Sequence, residues 1–76
     1  MRIQLKDLTI TTIENSDSIR LQSGRVSRWR TLEQVRILFI ADDYMLEFDD
    51  LFIDLDKDEA ESLSDMLNKD IVSSEE

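Results

Sequence analysis

With 76 residues and neither cysteine nor histidine, the chain is one small domain that no disulfide or thiolate-metal site can staple, and Ser-His, Cys-His and His-metal chemistry is excluded. Its 41% hydrophobic content suffices for a folded core, while no apolar run approaches the roughly 18 residues that would span a membrane. The net charge of −9 is unevenly spread: residues 1–41 carry seven basic groups against four acidic ones, a net of +3, and residues 42–76 carry two against fourteen, a net of −12.

From residue 3 to 13 the sequence alternates loosely through Ile3, Leu5, Leu8, Ile10 and Thr12, and its Thr and Ile suit a half-buried strand. Asp7 interrupts the phase, so a break or bulge is expected there. Residues 15–18, Asn-Ser-Asp-Ser, are a turn cluster whose short polar side chains can bond their own backbone. Ile19 and Leu21 then resume the alternation, so residues 1–22 are expected to form a β-hairpin.

Residues 23–31 break the pattern around the only glycine and are expected to be a loop. It gathers Arg25, Arg28 and Arg30 around Trp29, a set that could stack bases and contact phosphate. The preferred expectation is that Trp29 anchors the loop on the core while the arginines pair with the chain's own carboxylates.

Residues 35–67 hold the strongest pattern, three apolar runs separated by Asp42-Asp43 and Asp49-Asp50. If each Asp pair is a two-residue turn, Ala41 lies opposite Tyr44, Phe39 opposite Leu46 and Ile37 opposite Phe48. In the second hairpin Phe48 then meets Leu51, Leu46 meets Ile53 and Tyr44 meets Leu55. Both hairpins put the same central residues on one apolar face, and a slip of one residue would turn that face outward. The opposite face reads Arg36, Leu38, Ile40, Met45, Glu47, Phe52 and Asp54. Its Leu38, Ile40, Met45 and Phe52 form an apolar patch of the kind that marks an interface or a second packed layer. A helix over residues 32–41 is the alternative, because Thr31 and Gln34 also fit a capping box.

Asp56 and Glu59 form a second capping box, flanked by Leu55 and Ala60 as a hydrophobic staple. Ala60, Leu63, Met66, Leu67 and Ile71 follow at helical spacing and should lie across the apolar face of the sheet. The chain is expected to fray from Val72. The fold class is therefore α+β: an N-terminal hairpin plus a three-stranded meander, an antiparallel sheet of about five strands, with one C-terminal helix on one face. Residues 1–72 are the expected domain and 73–76 a disordered acidic tail.

Asp54, Asp56, Asp58 and Asp65 occupy the first, third, fifth and twelfth positions of an EF-hand loop, but Glu59 stands where that loop needs its glycine. Capping accounts for Asp56 and Glu59 without an ion, so neither a metal nor any other cofactor is expected. A catalytic carboxylate pair would need a walled cleft that a domain this small hardly encloses, so no enzyme activity is expected. The candidate partner surface is the set of carboxylates Asp42, Asp43, Glu47, Asp49, Asp50, Asp54, Asp58, Glu61 and Asp65, with the apolar patch beside it.

In size and charge the chain resembles the small acidic proteins that phages and mobile elements direct against host defence, among them nucleic-acid-mimicking anti-restriction and anti-CRISPR proteins. The resemblance rests on charge and length and covers no motif. It implies a cytoplasmic inhibitor that occupies a basic site on a nucleic-acid-processing protein. The opening MRIQLKD lacks the apolar core of a secretion signal and agrees with that compartment. Direct nucleic-acid or membrane binding is not expected, because the same acidic field repels phosphate. The alternative is a homo-oligomer, at its simplest a homodimer, with a role in structure or regulation, for which a basic first half and an acidic second half are suited.

Overall fold

The computed structural model describes residues 1–73 and has the expected α+β class, with one helix packed on largely antiparallel sheets. In place of one sheet of about five strands it has two sheets of four. The first contains β1 (Arg2–Gln4), β2 (Thr9–Thr12), β3 (Ser18–Ser23) and β4 (Val26–Thr31) in chain order, all antiparallel. A short 3-10 turn, Leu32–Gln34, leads into the second sheet. That sheet contains β5 (Arg36–Ile40), β6 (Asp43–Phe48), β7 (Leu51–Leu55) and β8 (Ile71–Ser73), in the order β7-β6-β5-β8. The helix α1 (Lys57–Leu67) carries the chain from β7 over the sheet to β8, which runs parallel to β5.

Several expectations are corrected. Residues 1–22 form three strands, because Lys6 and Asp7 reverse the chain while Leu5 N–H donates to the Leu8 carbonyl at 2.7 Å. Residues 23–31 are not a loop: Ser23 ends β3, Gly24 and Arg25 are a two-residue turn, and residues 26–31 are strand β4. Ser23 pairs with Val26 across Gly24 and Arg25, and Gly24 with φ +59° supplies the positive first position of a type II′ hairpin turn. The capping box at Thr31 starts only the 3-10 turn, in which the Gln34 side chain accepts from Thr31 N–H at 2.9 Å, and residues 36–40 are strand. Ile71 belongs to β8 rather than the helix, and Val72 and Ser73 are paired to Leu38 and Phe39 where fraying was expected. The remainder of the expected tail, 74–76, lies outside the described residues.

The second hairpin pairs as expected: Phe48 with Leu51, Leu46 with Ile53, Tyr44 with Leu55. Its turn residues Asp49 and Asp50 have φ of 51° and 63°, the left-handed pair that a type I′ turn requires. The first hairpin turns one residue early, at Ala41 and Asp42 with φ of 53° and 66°. Ile37 therefore faces Leu46, and Phe39 faces Tyr44 with the rings 4.5 Å apart. Moving the turn by one residue shifts each partner by two, so every side chain keeps its face.

That inner face buries Ile37, Leu46, Phe48 and Leu55. From the first sheet come Leu5, Leu8, Ile10, Ile19 and Leu21, and from α1 Ala60, Leu63 and Leu67; with Val35 they form one core. Both sheets thus turn their inner faces toward the same cluster, and their outer faces point away from it. Helix α1 is held as its sequence dictates. Asp56 caps Glu59 N–H at 2.7 Å, and Glu59 returns a bond to Asp56 N–H at 2.9 Å. Asn68 at φ 54° closes the helix, and Lys69 Nζ donates to the Leu32 carbonyl at 2.6 Å, tying the exit of α1 to the 3-10 turn.

Candidate functional site

The cross-strand register fixes the outer face of the second sheet residue by residue. Leu38 on β5 lies between Met45 on β6 and Val72 on β8, and Met45 continues to Asp54 on β7. The flanking rows are Ile40 with Asp43, and Arg36 with Glu47 and Phe52. Leu38 is buried by these neighbours although it is not part of the main core, Ile40 and Met45 are half-buried, and Phe52 is 56% exposed. The expected patch of Leu38, Ile40, Met45 and Phe52 is therefore one contiguous surface. Val72 adds to it, which the sequence reading missed by ending the ordered chain too soon.

The candidate carboxylates do not form one row. Asp43, Glu47 and Asp54 rim the apolar patch, and Glu47 is joined to Arg36 in an ion pair. Asp42 and Asp50 lie in turns at opposite ends of β6. Asp58, Glu61 and Asp65 are exposed on α1, spaced so that they share one side of it over about 10 Å at 1.5 Å per residue. Because α1 packs with the inner residues, this helical stripe and the sheet rim are separate surfaces. The EF-hand candidates are likewise divided among a strand, a cap and a helix, and among the described residues no three carboxylates converge.

Asp49 has a different role. Its carboxylate accepts from Arg30 Nε at 2.9 Å and from a terminal Arg30 nitrogen at 2.6 Å, and from Arg28 at 3.2 Å. It thereby clamps the β6–β7 turn onto β4, and is taken out of the set available to a partner. The bidentate bond from Arg30, helped by its charge and by Arg28, holds the Asp49 carboxyl below the usual carboxylate range. A depressed folded value means that the clamp stabilises above the unfolded carboxyl value, about 3.9, and is lost as the pH falls through the folded one. Denaturant titrations should therefore separate the parent from Asp49→Asn at neutral pH, and the gap should close in strong acid. A gap that persists unchanged there would show that the carboxylate's charge is not what matters.

The arginine expectation thus holds for Arg28 and Arg30. Trp29 is not the core anchor that was expected: strand alternation turns it to the outer face of the first sheet, where it is 55% exposed opposite Arg20. Between the two sheets an apolar cleft of about 260 Å³, lined by Leu8, Leu21, Val26, Phe48, Leu51 and Ile53, accounts for the exposure of Val26 and Leu51. Its volume is just below the range of about 300–1,000 Å³ usual for small-molecule sites. No helix among the described residues is long and apolar enough to cross a membrane. Compared with protein-family models, curated proteins and solved structures, the chain matches none.

Proposed function

We propose that this chain is a non-enzymatic protein-binding module that docks through the outer face of its second sheet. The observation that carries the reading is the contiguous surface of Leu38, Ile40, Met45, Phe52 and Val72 with Asp43, Glu47 and Asp54 around it. Apolar area of this kind supplies affinity, while a rim of one sign selects the partner and speeds encounter. The partner it suits is a protein with a basic surface that also offers apolar side chains. The basic site of a nucleic-acid-processing protein meets both requirements, and an inhibitor from a phage or mobile element would use the face in this way.

The test is affinity capture at low and moderate salt with the parent chain and with Phe52→Asp. Phe52 is the most exposed large side chain of the patch, so its replacement should leave the fold intact. Losing a large exposed apolar anchor should weaken binding by about 2 kcal/mol, roughly thirtyfold. Added salt should weaken it further by screening the rim. Capture that is indifferent both to Phe52→Asp and to salt overturns the reading.

A further inference from the structure

The two outer faces lie on opposite sides of the core, and their chemistry is opposite. The register of the first sheet aligns Arg2, Thr11, Arg20 and Trp29 in one row across all four strands. The neighbouring row is Gln4, Thr9, Gln22 and Ser27, and neither row holds a carboxylate. Although the chain has 18 carboxylates to nine cations, Arg2 and Arg20 make no ion pair among the described residues. The only exposed tryptophan and two unpaired arginines are thus sorted onto one face, and an acid-rimmed apolar patch onto the other.

We infer that these faces are each other's partners: the outer face of the first sheet in one copy seats on the outer face of the second sheet in another. This rests on the reading of the second sheet's face as a docking surface and names a second copy as its occupant. The spacings agree. Arg2 and Arg20 stand two strands apart, about 9.5 Å at the usual strand separation. Asp43 and Asp54 lie one strand and two residues apart, about 8 Å on the diagonal. With each arginine on one of these carboxylates, Trp29, one strand beyond Arg20, reaches the patch of Met45 and Phe52. An interface of standard size takes about 800 Å² from each partner, and the chain's 5479 Å² of surface accommodates one on each side. Because the two contacting faces differ, the contact is heterologous, and every assembly keeps one free face of each kind at its two ends. Assembly then proceeds head to tail instead of stopping at a symmetric dimer.

Sedimentation velocity of the full chain, from dilute to concentrated solution at low salt, should show a mass that rises continuously with concentration and falls when salt is added. Arg20→Glu and Asp54→Arg should each weaken association by more than about tenfold, since each sets like charges against one another. Mixing the two variants should restore association as one-to-one pairs, because each retains the face that the other has lost. A chain that is monomeric at every concentration, or an assembly unaffected by Arg20→Glu, overturns the inference. A symmetric dimer that loses nothing on Arg20→Glu also does so, since it would use the second-sheet face alone. If the chain is monomeric yet Phe52→Asp abolishes affinity capture, the docking face stands and only the second copy is excluded.

Discussion

Leu46→Ala is expected to cost about 3 kcal/mol, within the range of about 2–5 kcal/mol for truncating a buried leucine. Leu46 is fully buried on β6, an interior strand of the second sheet, and belongs to the core shared by both sheets and α1. A domain of this size has about 4–11 kcal/mol of stability in total. Since each kcal/mol moves the midpoint of so small a domain by about 4–8 °C, the melting temperature should fall by more than about 12 °C. Phe52→Ala removes a larger side chain but from the exposed outer face, and should change stability by no more than about 0.5 kcal/mol. Thermal melts of the two variants followed by circular dichroism make the comparison. Equal losses would mean that Phe52 is covered within the chain, and the docking face would not exist.

The same contrast explains how much of the fold was legible. The meander could be read because its inner positions are apolar at a period of two, and because two independent hairpins place Tyr44, Leu46 and Phe48 on the same face. Helix α1 could be read from Asp56, Glu59 and the spacing of Ala60, Leu63 and Leu67, all of which are local signals. Strand β4 could not. Its inner positions past Val26 are Arg28 and Arg30, whose partner Asp49 lies 21 and 19 residues away, so polar residues stand where the pattern requires apolar ones. The lone glycine in that stretch suggested a loop centre, whereas it is the first position of a tight turn. Strand β8 is three residues long and is fixed by a parallel pairing to β5 across the whole helix, which no local pattern reveals.

The candidate site was legible in part for the same reason. Alternation in the meander identified Leu38, Ile40, Met45, Phe52, Glu47 and Asp54 as one face, and that grouping survives in the structure. Charge counting did not reveal the other side. The carboxylates of residues 42–73 are divided among turns, a helix and the sheet rim, and the cations of the first half among the Asp49 clamp, the Arg36–Glu47 pair, two strand-linking turns and an open face. Net charge describes the long-range field; what a given face can bind depends on register. Arg2 and Arg20 are aligned only once residues 1–22 are divided into three strands, and Trp29 joins them only once β4 is recognised as a strand.

Replacing Ala41-Asp42 by Asn-Gly should raise stability by about 1–2 kcal/mol, and the same dipeptide at residues 42–43 should lower it. The turn at Ala41 and Asp42 is type I′, with both residues in the left-handed region. An L-residue with a Cβ is disfavoured there by about 1–2 kcal/mol, and alanine has no side-chain polar group to offset that by bonding locally. Asparagine tolerates the conformation and glycine adopts it freely, which is why Asn-Gly is the preferred type I′ pair. One residue further on, glycine would replace Asp43 within β6, opposite Ile40, where it weakens the strand. The expected outcomes are a melting temperature higher by about 4–8 °C or more for the first variant and a lower one for the second. The reverse order would place the turn at Asp42-Asp43, where the aspartates alone suggest it.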